Sequence, residues 1–118
     1  MDLRHAHIQV KNMEKSRSFY ENNFGFKEDF VCDADEIFIK NEKGFVLGLN
    51  RMDQPDILPK WFHFGFSCSS KEEIESIFKK FKSSNYDIKR ELTIYENGDM
   101  NFYVNDPDGT SIEVYYNI

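Results

Sequence analysis

At 118 residues, 40% hydrophobic and 16% aromatic, the chain suffices for one compact core and leaves no room for a second globular domain beside it. Fifteen basic residues against twenty-one acidic ones give a net charge of −6, with no Lys/Arg cluster of the kind a nucleic-acid partner needs. No apolar run approaches the roughly 20 residues of a membrane span, Met1-Asp2-Leu3-Arg4-His5 lacks the regions of a signal peptide, and Cys32 and Cys68 follow no metal or redox spacing, so a cytoplasmic protein with no membrane partner is expected.

His5 to Val10 reads as a strand by its alternation: Ala6, Ile8 and Val10 share a core face, and His5, His7 and Gln9 the other. A helix follows, with Asn12 as N-cap, Met13, Tyr20 and Phe24 on its buried side, and Gly25 as the left-handed stop. Ile37-Phe38-Ile39-Lys40 forms a strand that runs into Asn41 to Gly44. Arg51 to Pro59, with two prolines and little periodicity, reads as a linker. The aromatic stretch Trp61, Phe62, Phe64 and Phe66 is expected to pack in the core, leaving His63, Gly65 and Ser67 on the opposite face of a second opening strand. Ser70 with Glu73 makes a capping box, and Ile74, Ile77, Phe78 and Phe81 line one side of the helix it starts. Asp106-Pro107-Asp108-Gly109 is a hairpin turn, and Ile112, Val114 and Tyr116 form the core face of the last strand.

The halves resemble one another. A shift of 58 lays His5 over His63, and a shift of 65 lays Ile37 to Gly44 over Phe102 to Gly109. About seven extra residues therefore enter the second half, expected between Tyr86 and Asp99. The fold class read from this is α+β: one domain over 1–118 made of two βαβββ modules, about 1–50 and 61–118, joined by a linker at about 51–60.

His5, His63 and Glu113 are the candidate metal ligands. The histidines hold equivalent positions on the non-core faces of their strands, and Glu113 points away from Ile112 and Val114. Two imidazoles and a carboxylate leave open positions on a divalent ion such as Zn, Ni, Mn or Fe. Ordinary surface histidines and a solvated glutamate are the alternative. His7, on the same face as His5, is an alternative ligand or a substrate contact. Tyr103 either presents its hydroxyl to a substrate or simply lines the sheet. Cys68 reads as an inert small hydrophobe.

His5-(x4)-Val10, Asn12 to Ser16 leading into Phe19-Tyr20, and Phe24-Gly25-Phe26 resemble the opening of the vicinal oxygen chelate superfamily. That superfamily includes glyoxalase I, bleomycin-resistance proteins, fosfomycin-resistance enzymes and extradiol dioxygenases. His63-Phe64-Gly65-Phe66 and Tyr103-(x2)-Asp106-Pro107-Asp108-Gly109-(x3)-Glu113 are similar to the two ends of its second module. The resemblance implies paired βαβββ modules, usually in a homodimer, with cupped sheets that hold a metal chelated by vicinal oxygens of a small-molecule substrate. It also implies His5, rather than His7, as ligand beside His63 and Glu113, and leaves His7 and Tyr103 as catalytic candidates.

Departures from the family narrow this expectation. Glyoxalase I has a fourth carboxylate ligand where this chain has Gly48, and a glutathione-binding arginine where it has Gln9. Fosfomycin-type members use further basic residues, some in a longer tail, whereas this chain ends five residues after Glu113. The expected function is a small metal-dependent enzyme, glyoxalase-like or dioxygenase-like, acting on an oxygen-rich molecule. The alternative is a metal-free protein of the bleomycin-resistance type that sequesters a cationic drug. The stiff linker, with Pro55 and Pro59, favours sites that take His5 from one subunit and His63 with Glu113 from the other.

Overall fold

The structure is a computed structural model describing residues 1–118. The chain divides into two compact units, Met1–Ile57 and Leu58–Ile118, and each is a βαβββ module.

The first unit runs β1 (His5–Val10), α1 (Met13–Phe24), β2 (Lys27–Asp33), β3 (Glu36–Lys40) and β4 (Val46–Arg51). Its sheet has the order β1-β4-β3-β2, with β1 and β4 parallel and the other pairs antiparallel. A parallel pair needs a crossover, and α1 with the β2–β3 hairpin supplies it. Register places Ile8, Leu49 and Ile37 in one cross-strand row and Ala6, Leu47 and Ile39 in the next, all on the core face. The opposite face carries the rows His7, Gly48, Phe38 and Gln9, Asn50, Glu36. Asn12 caps α1 by accepting from Lys15 N, and Gly25, at φ 69°, ends it. The buried face differs from the expected one. Ser16, Phe19 and Tyr20 are fully enclosed, while Met13 and Phe24 are half-buried. The three share one side of the helix at i, i+3 and i+4, and the small Ser16 lets its backbone approach the core.

The second unit repeats the plan with β5 (His63–Ser67), α2 (Lys71–Ser83), β6 (Ile88–Ile94), β7 (Met100–Asn105) and β8 (Ser111–Tyr116), in the order β5-β8-β7-β6. Phe64, Ile112 and Val104 form one core row, and Phe66, Val114 and Phe102 the next. Ile74 and Phe81 of α2 are buried, with Phe81 and Phe78 both packed on the Phe102 ring at 5.8 and 5.2 Å. Ser70 accepts from Glu73 N at 3.1 Å. The return bond of the capping box lands one residue early, because the Glu73 carboxylate accepts from Ser69 N and Ser69 Oγ. Those bonds hold Glu73 below the usual carboxylate range, Ser69 N–H contributing most. The Asp106–Gly109 turn closes β7 onto β8 through Gly109 N to Asp106 O, with Gly109 at φ 86°.

A further expectation is corrected. Trp61 and Phe62 are exposed, at 78% and 37%, and lie before β5 rather than in the core. The chain folds back there, Phe62 N donating to Pro59 O, so neither ring enters the alternation of the strand. The extra residues of the second half fall largely in the expected stretch, at the exit from α2, in the bulged β6 and in the hairpin after it. The exit from α2, residues 84–87, is longer than the two residues after α1, and Tyr95–Asp99 replaces the two-residue β2–β3 connection.

Candidate functional site

In the second unit the non-core face carries Gly65, Glu113, Tyr103 and Arg90 in one row across all four strands. His63 stands one row away on β5, and its Nε2 lies 3.5 Å from Glu113 Oε2. His63 Nδ1 is 3.0 Å from the Trp61 carbonyl oxygen. A carbonyl only accepts, so Nδ1 carries the hydrogen, and in the neutral ring Nε2 turns its lone pair toward Glu113. The other carboxylate oxygen, Oε1, accepts from Asn101 Nδ2 at 2.8 Å. Gly65 lies directly opposite Glu113, and a Cβ there would meet the Glu113 carbonyl oxygen at 3.1 Å and the Tyr115 ring at 3.2 Å.

Tyr103 packs edge-on against the His63 ring at 5.3 Å. Its phenol is raised above the ordinary range, first by burial and then by the charge and hydrogen bond of Glu113, with Arg90 opposing. At neutral pH Tyr103 is therefore a protonated phenol able to donate a hydrogen bond.

An open concavity of about 940 Å³ lies over His63 and Glu113. One wall is the Tyr95–Asp99 connection, the insertion that the first unit lacks, and Asn101, Tyr115 and Phe64 complete most of the rest. Glu96, Asp99 and Glu113 line it, and no Lys or Arg does.

In the first unit His5 and His7 stand edge to face at 5.6 Å. His7 also meets the Phe38 ring at 5.2 Å, and its Nδ1 lies 3.3 Å from Asn50 Oδ1. Asn50 Nδ2 donates to Glu36 Oε2 at 2.7 Å, which turns Oδ1 toward the imidazole. Glu36 is held below the usual carboxylate range by the Cys32 thiol first and Asn50 second, and Cys32 is raised in turn by bonding to Glu36. Gly48 makes this arrangement possible, since a Cβ there would meet His7 Cε1 at 2.6 Å. Glu113 occupies the matching place in the second sheet, so where one module carries a carboxylate the other carries a glycine overlaid by an imidazole.

The second unit thus brings together His63, Glu113 and Tyr103, and the first brings together His5 and His7. Within neither unit do three His, Cys, Asp or Glu side chains converge. Sequence reasoning missed Asn101, Tyr95, Arg90, Asn50 and Glu36. Asn101 was open to detection, since it sits two residues before Tyr103 on the same strand face.

Two βαβββ modules, each a four-stranded mixed sheet with one helix, define the class of protein by its fold. A family model described as the Glyoxalase/Bleomycin resistance protein/Dioxygenase superfamily matches residues 2–114, and the chain belongs to that superfamily. It is 30% identical over 115 residues to a "probable trivalent organoarsenical cleaving enzyme" of Bacillus subtilis (strain 168), covering 95% of this chain and 77% of that one. A "trivalent organoarsenical cleaving enzyme" of Bacillus sp. (strain MD1) is 29% identical over 120 residues, covering 98% and 73%. Among solved structures, a "possible glyoxalase" from Bacillus cereus superposes with a TM-score of 0.82 at 26% identity over 97% of both chains. A fosfomycin resistance protein from Listeria monocytogenes gives 0.85 at 21% identity, covering 100% and 94%, and so shares the fold.

Proposed function

We propose that this protein is a small metal-dependent enzyme acting on an oxygen-rich small molecule, with His5, His63 and Glu113 as the ligands of a divalent ion. The supporting observation is the facing of an imidazole nitrogen and a carboxylate oxygen. His63 Nε2 and Glu113 Oε2 stand 3.5 Å apart while Nδ1 and Oε1 are engaged elsewhere, a donor set that fits a cation between them. When bound, the ion supplies Lewis-acid polarisation of a substrate carbonyl, enediolate or catechol oxygen. The chain's own groups do the rest. Tyr103 donates a hydrogen bond or a proton beside Glu113, and His7, oriented by Asn50, offers an imidazole for proton transfer. The free cysteines suit a cytoplasmic location.

The organoarsenical relatives suggest one substrate class. Trivalent arsenic is thiophilic, and no cysteine lines the concavity; burial pushes the Cys68 thiol up to about 11. Oxygen chelation therefore remains the favoured reading for this chain, with a trivalent arylarsenical included among the substrates assayed.

The test is the metal content of untagged protein purified without chelator. Wild type should carry about one ion per chain, His63→Ala and Glu113→Ala should lose it, and His7→Ala should keep it. Retention of stoichiometric metal by Glu113→Ala would refute the assignment. In a homodimer with shared sites, mixing His5→Ala and Glu113→Ala chains should restore half the wild-type metal per dimer.

The acid-lined concavity supports a second reading, a metal-free binder of a cationic aromatic molecule, with Tyr95 and Tyr115 for stacking. Dopamine and 3,4-dihydroxyphenylacetate share a catechol and differ in tail charge. Binding of dopamine alone by chelator-stripped protein favours this second reading; binding of both only with metal present favours the first.

A further inference from the structure

We infer that Arg90, Tyr95 and Asn101 form a one-way hydrogen-bond relay that orients the Glu113 carboxylate, holding one oxygen on Asn101 and turning the other to His63. The inference rests on the reading of Glu113 as a ligand-binding carboxylate, and it adds three positioning residues to that site.

The direction of the relay follows from what each group is able to donate. Guanidinium has no acceptor, so in the 2.8 Å contact between Arg90 Nη2 and Tyr95 Oη the tyrosine must accept. With that lone pair engaged, the Tyr95 hydroxyl hydrogen goes to Asn101 Oδ1 at 3.3 Å. Asn101 therefore presents its Nδ2 hydrogens to Glu113 Oε1 at 2.8 Å. Reversing the amide would set Oδ1 against a carboxylate oxygen, where neither atom has a hydrogen to give. Oε1 is thereby engaged, and Oε2 is the oxygen turned to His63 Nε2.

Arg90 is placed for this role. The other three arginines pair with carboxylates: Arg4 with Asp2, Arg17 with Glu21 and Glu28, and Arg51 with Asp35 and Asp53. Arg90 has no carboxylate partner and lies over the Tyr95 and Tyr103 rings, 5.9 Å from each centroid. Its position depends on an irregularity in β6. Ile88 pairs with Val104 and Arg90 with Tyr103, so two steps along β6 match one along β7. That bulge moves Arg90 from the core face, where alternation after Ile88 would set it, to the face of Tyr103 and Glu113.

The experiment has one readout without metal and one with it. In ¹⁵N-labelled apo protein the Asn101 side-chain amide should show slow hydrogen exchange. Arg90→Met and Tyr95→Phe, both at exposed positions, should speed that exchange severalfold, and Arg90→Lys should restore it. Cobalt(II) titration should show Asn101→Ala binding about 10- to 100-fold more weakly, the usual loss when a ligand's supporting hydrogen bond is removed. Tyr95→Phe should weaken cobalt less, with thermal stability unchanged. Unaltered Asn101 exchange in both Arg90→Met and Tyr95→Phe would overturn the relay, as would wild-type cobalt affinity in Asn101→Ala alongside its loss in His63→Ala. If wild type takes up no cobalt while Arg90→Met still frees the Asn101 amide, the metal reading falls and the relay stands.

Discussion

Substituting Gly48 by alanine should destabilise the protein, and removing His7 should reverse the sign of that effect. A Cβ at position 48 would lie 3.0 Å from His7 Cγ and far inside contact distance of Nδ1, so the imidazole must leave. It would lose its bond to Asn50 Oδ1 and its edge contact with Phe38. Each contact is worth about 0.5–1.5 kcal/mol when enclosed, and less here because His7 is exposed, so roughly 1.5 kcal/mol is at stake in all. Alanine returns about 0.5 kcal/mol by restricting the unfolded chain, leaving a net loss of about 1 kcal/mol and a few degrees of melting temperature. In a His7→Ala background the clash is gone and only the gain remains, so Gly48→Ala should then stabilise by about 0.5 kcal/mol. Urea denaturation of the four proteins completes a double-mutant cycle with a coupling of about 1.5 kcal/mol. Equal effects of Gly48→Ala in both backgrounds would refute the idea that the glycine exists to seat the imidazole.

Glu73→Ala should cost about 0.5–1 kcal/mol at neutral pH, since Glu73 bonds Ser69 at the start of α2. Because the folded pKa is depressed, the contribution is full above the unfolded value of about 4.5 and fades as pH falls through the folded one; denaturation of both proteins at pH 7 and in strong acid should show the gap closing. Cys68, with its thiol at about 11 against 9.0 for the free group, should alkylate about 100-fold more slowly at pH 8 than in urea, while exposed Cys32 reacts first; peptide mapping after iodoacetamide reads both rates.

The local features were legible in the sequence because near neighbours determine them. Asn12 and Gly25 bound α1, Ser70 and Glu73 start α2, and Asp106 to Gly109 turns the chain, each through bonds spanning a few residues. Period-two alternation likewise put His63 and Glu113 on the non-core faces of their strands. The motif of Ser16 followed by Phe19 and Tyr20 was visible only as a family resemblance, and its reason is packing: these three are the enclosed residues of α1.

What required the tertiary structure was whatever depends on register and on breaks in alternation. Parallel pairing sets Gly65 against Glu113 and His7 against Gly48, and no local pattern specifies which residue of a distant strand lies opposite. Trp61 and Phe62 read as core by hydrophobicity, but the turn at Pro59 takes them out of the strand before its alternation begins. Strict alternation from Ile88 would set Arg90 on the core face; one inserted residue in β6 sends it to the other side, beside Tyr103. A bulge is a property of two paired strands, so the sequence of one strand alone does not encode where its side chains finally point.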